Sequence, residues 1–298
     1  MFQPLKGVRV IDLSQVLAGP YATYQLALMG AEVVKIEKPG EGDWTRTGGP
    51  AAGLSDRRMG LGYLAHNAAK KSVTIDLKSP AGLELARTLV AGADVFVENF
   101  KPGVAGRLGL GFDAVRGINP RIVYCSISGY GQDGPLSGRP AYDHVIQGMC
   151  GIMLTTGRPG AGPTKVGSPY VDYATGMNAA MAMMAGLREV ERTGEAVHID
   201  VAMLDTALML MASLMSQQLT TGWKPEQSGN AAWSASPSSG AFETADGMLM
   251  LAANNESQFR SLCAAIGRGD ILADARWRSA SGRRDDADGL RATLEETF

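Results

Sequence analysis

Asp172 is the side chain with the clearest capacity for chemistry among these 298 residues. It lies in the run KVGSPYVDYATGMN, where an aspartate opening a helix is expected to cap it by accepting backbone N–H bonds. That structural role and a chemical one are compatible. A carboxylate at a helix N-terminus is expected to stay ionised, because the helix dipole and the amide donors favour its charged form. If it also faces a cleft, it is a candidate nucleophile. Four glycine-bearing turns, VLAGP, KPGEGD, ENFKPG and SGYGQDGP, follow predicted strands. Each alone reads as a plain turn, but together they point to a ligand crevice, since the carboxyl ends of parallel strands line such crevices. Asp143-His144 sets an acid beside an imidazole, yet sequence neighbours usually diverge in space, so the pair reads as structural or surface.

The elements that must position these residues alternate in type. Strands are predicted over 7–14, 31–38, 72–77, 94–100 and 121–131, with helices over 20–30 and from Ser79 onward, and a helical FDAVRGIN before the fifth strand. Pro20 suits the first turn of the first of these helices and Gly30 its C-terminal end, while Ser79 and Pro80 suit the start of the next. Strand and helix in this alternation indicate an α/β fold with a Rossmann-like parallel sheet. A long helix over 172–194 carries Met177, Met181 and Met184, read as core filler. A strand-like stretch from 196 and an apolar helix over 204–222 follow. Residues 223–240 are rich in Gly, Ser and Pro and read as a linker. Residues 240–254 read as a hairpin turning at Asp246-Gly247, with helices after it. The expected division is a large α/β domain over 1–224 and a smaller α+β domain over 225–298.

Composition narrows the function classes. There are 28 basic and 30 acidic residues, a formal net charge of −2, which excludes the basic footprint of a general nucleic-acid binder. Charged residues make up 19% against a usual ~25%, and 38 glycines are nearly twice the usual share, as suits a large core and many tight turns. The three cysteines and three histidines are scattered, with no CxxC or HExxH, so no metal site or disulfide scaffold is expected. No apolar run reaches the ~18 residues of a membrane span, and the N-terminus lacks a signal pattern, so a reduced, cytoplasmic, soluble protein without a membrane partner is expected. P-loop, GxSxG and GxGxxG motifs are absent, which weakens a nicotinamide enzyme. Arg57-Arg58 and Arg283-Arg284 read as solvated charges.

The run LKGVRVIDLSQVLAGPYATYQLALMGAEVVKIEKPGEGDWTR resembles the N-terminus of the class III coenzyme A transferases, a group that includes formyl-CoA transferase and carnitine CoA-transferase, with α-methylacyl-CoA racemase as a cousin. The resemblance continues through KKSVTIDLKSPAG, ADVFVENFKPGVAGRLGLG, NPRIVYCSISGYGQDGP, RPAYDHVIQGMCGIM, VDYATGMNAAMAMMAGL and SGAFETADGMLMLAANNESQF, so it covers nearly the whole chain. It implies that Asp172 is the nucleophile and that a CoA thioester and a carboxylic acid are the substrates, with no cofactor bound permanently. An aspartyl mixed anhydride would form on Asp172, which requires that water be kept out. Glycine-rich backbone near it would permit close approach and offer N–H groups to a developing oxyanion. The resemblance further implies that Val16, Lys38, Lys78, Asn99 and Arg107 hold the nucleotide, with Arg139 near a basic position of the formyl-CoA enzyme. Leu17 and Tyr142 are implied at the acyl end, and an interlocked homodimer is implied for the whole.

This chain departs from the formyl-CoA enzyme at several places. Lys38 replaces an arginine, which keeps charge but loses the planar fork. Leu17 replaces a glutamine, so oxalate and formate are not expected as substrates, and NAAWSASPSSG replaces a glycine-run loop. The sequence stops at LEETF, where family members usually continue, so either the protein is short or this is a fragment. An acyl-CoA:carboxylate CoA-transferase is the leading expectation. The alternatives are an α-methylacyl-CoA racemase, whose histidine precedes an aspartate where Tyr142 precedes Asp143, and a non-catalytic CoA-binding subunit.

Overall fold

The computed structural model describes residues 2–298, and the chain divides into two compact units. The first runs to Ile152 and resumes over Lys165–Lys224; the second comprises Met153–Thr164 and Pro225–Phe298.

The first unit is a six-stranded sheet with all neighbours parallel, in the order β3-β2-β1-β4-β5-β6. Its elements follow in chain order as β1 (Arg9–Asp12), α1 (Ala18–Leu28), β2 (Glu32–Glu37), the short α2 (Ala52–Ser55), α3 (Leu61–Asn67), β3 (Lys71–Thr74), α4 (Pro80–Ala91) and β4 (Val95–Glu98). They continue as α5 (Val104–Arg107), α6 (Phe112–Ile118), β5 (Val123–Ser128), α7 (Asp143–Cys150), α8 (Tyr170–Thr193), β6 (Val197–Ala202), α9 (Met203–Leu210) and α10 (Ala212–Thr221). Every residue of β4 is buried, as expected of a strand covered on both faces. One face of the sheet packs Val10, Val33, Val95, Val97 and Cys125 against Leu26 of α1 and Ala179 and Met183 of α8. The other packs Ile11, Ile36, Phe96 and Tyr124 against Ala86 and Val90 of α4 and Val115 of α6. Chain order reverses between β1 and β4, and the crevice beyond that reversal is where open α/β sheets take ligands.

The second unit has its own core. A two-stranded antiparallel ribbon, β7 (Ser239–Thr244) and β8 (Gly247–Ala252), is followed by α11 (Glu256–Ala265), α12 (Gly269–Ala273), α13 (Ala280–Asp285) and α14 (Ala287–Glu295). Phe242, Phe259, Trp277, Leu290 and Leu294 form that core. Asn255 caps α11 reciprocally with Gln258, a local signal strong enough to set the start of that helix.

Several expectations change in detail. Four of the five predicted strands are trimmed at both ends relative to their apolar runs, and β3 begins one residue early at Lys71 and ends at Thr74, because only residues with a ladder partner on a neighbouring strand extend the sheet. The single helix expected over 204–222 breaks into α9 and α10 at Met211, whose N–H donates to Leu208 O, three residues back, while its side chain is buried beside Ile146 and Val171. Thr244 pairs with Gly247, so the hairpin turns at Ala245-Asp246 and Gly247 opens β8. Met177 and Met181 are exposed, at 54% and 59%, whereas Met184 is half-buried and packs against the core as expected, and Met183 is the fully buried methionine of α8. Arg283 is not a solvated charge. It is 6% exposed, lies over the Phe259 ring and donates to Glu256 Oε2 at 2.6 Å.

Candidate active site

Asp172 lines a cavity of about 200 Å³ beyond the carboxyl ends of the central strands. Gln15–Ala18 after β1, Asn99–Pro102 after β4 and Ile127–Gly129 closing β5 form much of its wall, with Arg139–Tyr142 and Met203 completing it. Gly129 is needed there: a Cβ at this position would stand 2.4 Å from the Ala141 Cβ and push the Arg139–Tyr142 segment outward.

The carboxyl of Asp172 is the third residue of α8 rather than its cap. Pro169 precedes the helix and supplies no side-chain cap. Asp143, the first residue of α7, does that work from a separate helix. The N–H groups of Val171 and Asp172 donate to its Oδ2 at 2.9 and 3.3 Å, and Gln147 Nε2 donates to its Oδ1 at 2.5 Å. The N–H of Val166 in turn donates to Gln147 Oε1 at 2.8 Å, tying down the segment that leads into α8. With the helix-end amides spent on Asp143, the expectation of a fully ionised Asp172 fails. Burial, reinforced by the negative charge of Asp143, pushes its carboxyl up to about 7.

The turn after β1, which also lines the cavity, is strained. Val16 has φ +73°, in the left-handed region that β-branched residues avoid, at a cost of order 1–3 kcal/mol. Its N–H donates to Asp43 Oδ2 at 3.0 Å. The N–H of Gln15 donates to Asn99 Oδ1 and Asn99 Nδ2 returns a bond to Gln15 O, both at 2.8 Å. Beneath lies a buried charge cluster. Lys35 donates to Ser14 O and stands 3.5 Å from Asp43 Oδ2, and Lys70 Nζ stands 3.0 Å from Asp12 Oδ2. Burial raises the Asp12 carboxyl, but the Lys70 and Lys35 charges and the hydroxyls of Ser14 and Thr23 outweigh it and hold it down at about 2. Burial, helped by the like charge of Lys35, pulls Lys70 down to about 8 in spite of Asp12.

A second cavity, of about 170 Å³, is lined by Leu13, Glu37, Lys38, Asp76, Lys78 and Leu108, and shares Gln15 and Phe100 with the first. The residues implied for binding therefore separate into two groups. Val16, Leu17, Asn99, Arg139 and Tyr142 join Asp172, while Lys38 and Lys78 line the neighbouring space. Lys38 donates to Glu41 Oε1 at 2.5 Å, so that cation already has an acid beside it. Arg107 lines neither cavity and lies on α5, next to Leu108 of the second. Tyr142 is 61% exposed, with its ring parallel to that of His144, their centroids 6.2 Å apart. Sequence reasoning did not single out Gln15 or Lys101 as lining residues, although both sit in the turns after β1 and β4 that drew attention for their glycines. Nor did it find the capping role of Asp143, which no spacing reveals. Among the described residues no group of three or more His, Cys, Asp or Glu could hold a metal ion, and no helix is long and apolar enough to cross a membrane.

The site is a cavity lined by the Asp172 carboxyl at the chain reversal of a doubly wound parallel sheet. The pattern described as CoA-transferase family III matches residues 5–298, and the chain belongs to that family. It is 43% identical to the succinate–glutarate CoA-transferase of Agrobacterium fabrum, over 94% of this chain and 70% of that protein. It is 37% identical to the human succinyl-CoA:glutarate CoA-transferase (99% and 67%) and 38% identical to the acetyl-CoA:oxalate CoA-transferase of Acetobacter aceti (99% and 75%). A crystal structure of a CAIB/BAIF family protein from Brucella suis superposes with TM-score 0.89 at 38% identity, over 100% of this chain and 78% of that one. The chain spans about two thirds to three quarters of the length of these curated relatives, and 63% of the mouse succinyl-CoA:glutarate enzyme.

Proposed function

We propose that this chain carries the CoA-binding and catalytic parts of an acyl-CoA:carboxylate CoA-transferase with Asp172 as nucleophile. The observation that carries the reading is the Asp172 carboxyl on a cavity at the sheet's chain reversal, with its basicity raised by burial and by Asp143. A carboxylate poised near neutrality is a better nucleophile than an ordinary one, and it is ionised in a useful fraction at working pH. In the proposed cycle an Asp172 oxygen attacks the donor thioester carbonyl, the C–S bond breaks, and CoA leaves as thiolate, giving an aspartyl–acyl anhydride. The thiolate attacks the Asp172 carbonyl, releases the donor as its carboxylate, and leaves an aspartyl-CoA thioester. The acceptor carboxylate attacks that thioester and expels the thiolate again. CoA then opens the second anhydride at the acceptor's acyl carbon, and Asp172 returns as a carboxylate. One thioester is exchanged for another, so charge and bond count balance without an outside energy source.

Lys38 and Lys78 fit the phosphate-bearing end of CoA, with Arg107 beside them, while Leu17 and Tyr142 fit the acyl end. Arg139 and Lys101 stand on the Asp172 cavity, where their charges suit the far carboxylate of a dicarboxylic acyl group. That agrees with relatives named for succinate and glutarate, and Leu17 disfavours oxalate. We take residues 1–224, apart from the 153–164 segment that groups with the second unit, as the CoA-binding domain and 225–298 as the smaller one, acting in an interlocked homodimer. The three buried, unpaired cysteines suit a cytoplasmic setting. The relatives named here are CoA-transferases, which does not favour the racemase alternative. The Asp143 carboxyl that would have to pair with a base is buried and spent on the amides of α8.

The test is chemical trapping. Protein incubated with succinyl-CoA and hydroxylamine is expected to yield a hydroxamate on the peptide containing Asp172, and Asp172→Ala is expected to abolish it. Deuterium wash-in at the α-carbon without trapping would install the racemase reading instead. Neither signal would leave an inert binding subunit.

A further inference from the structure

We infer that Asp43 is a positioning residue of the Asp172 cavity: anchored by the buried Lys35 ammonium, its carboxylate holds the Val16 backbone in the left-handed conformation that lays Gln15–Leu17 along the cavity wall. The inference rests on reading that cavity as the thioester site. A turn with a positive φ ordinarily falls to glycine, and a valine there must be forced. The forcing groups come from distant chain. Asp43 is 27 residues on and Asn99 is 84 residues beyond Gln15. Four backbone groups in a row are tied, Ser14 O by Lys35, Gln15 N–H and O by Asn99, and Val16 N–H by Asp43.

Asp43 is itself fixed. Its Oδ1 accepts from the N–H and hydroxyl of Thr45 at 3.0 and 2.7 Å, and its own N–H donates to Glu37 Oε1 at 2.9 Å. The side chains of Asp43 and Lys35 are both 0% exposed, and Asp43 does not line the cavity, so it acts on substrate only through Val16. A wall held in this way is in place before a thioester arrives, so its ordering is met in folding rather than in binding.

The test uses the full chain and compares wild type with Lys35→Met/Asp43→Ala, which removes both buried charges together so that neither is left unpaired. Each is then made again with Val16→Gly. Without substrate, hydrogen exchange at the Val16 amide is expected to accelerate about tenfold or more in the charge-free variant. With succinyl-CoA, KM is expected to rise about tenfold while kcat changes less than about threefold. In the Val16→Gly background the added KM penalty is expected to shrink below about threefold, because glycine takes this conformation unaided. Unchanged Val16 exchange, or the same KM penalty in both backgrounds, overturns the inference. If the charge-free variant does not fold, Asp43→Asn is read in the same two ways. The exchange measurement needs no thioester, so failure of wild type to bind succinyl-CoA would sink the functional reading and leave the positioning role to be decided by exchange alone.

Discussion

Asp172 and Asp143 divide between them the tasks that a helix N-terminus usually gives to one acid. Asp143 takes the amides and satisfies the helix end, while Asp172 keeps a carboxyl that burial and its neighbour's charge make more basic. If the carboxylate form attacks, kcat/KM should fall about tenfold per pH unit below about 7, where Asp172 takes up its proton. Asp143→Asn keeps an oxygen for the Val171 N–H but removes the like charge, so the acid limb of that profile should move to lower pH. Asp143→Ala loses the cap as well and should cost about 1 kcal/mol in thermal unfolding in addition. A profile with the same midpoint in Asp143→Asn would show that its charge does not set the basicity of Asp172. The aspartate's identity was legible in the sequence. Its protonation was not, because the deciding acid stands 29 residues away, on another helix.

At the scale of elements, the site depends on α8 lying close against α1. Gly176 permits this: a Cβ there would stand 2.7 Å from Ala18 O and 3.0 Å from the Tyr21 ring. Gly176→Ala should therefore lower stability by about 1–3 kcal/mol, read as a drop in Tm, even though alanine is the better helix former. Because Ala18 and Asp172 line one cavity, the same variant should also raise the KM for the thioester. A variant as stable as wild type would show that the two helices can part without strain. The alternation of strands and helices was readable from period and punctuation. The breaks were not. α7 went unpredicted, as did the separation of α9 from α10 at Met211, which is buried in one cluster with Ile146 of α7 and Val171 of α8, a tertiary setting that no local pattern encodes.

The molecule's response to acid should come from the charge cluster beneath the strained turn. Asp12 is held down at about 2, and so is Glu37, where burial is outweighed by the Arg46 guanidinium, the Ser72 hydroxyl and the Asp43 amide. Both carboxyls are depressed in the folded state, so their contribution is complete above about pH 4–5 and is lost as pH falls toward 2. At roughly 2 kcal/mol each, this predicts a steep decline of unfolding free energy between those limits, measurable by urea titration at stepped pH. Asp12→Asn should flatten the decline. Asp172 runs the other way: its folded value lies above the unfolded one, so its contribution is complete below about 4 and is lost as pH rises through about 7. Asp172→Asn should therefore gain of order 1 kcal/mol at pH 8, allowing for its partial contact with solvent, whereas a loss of stability there would mean that the carboxylate is not strained by its surroundings.

By itself the sequence determined the α/β class, the run of parallel strands and the acid in the first turn of the long helix, because period, capping and residue type are local quantities. The tertiary structure decided the rest. It set Arg139 and Lys101 on the Asp172 cavity, handed the helix-end amides to Asp143, and put a buried Lys35–Asp43 pair under a valine in a conformation that glycine would ordinarily take. Each of these is a meeting between segments tens of residues apart, and the electrostatics of burial arise only once the chain has brought them together.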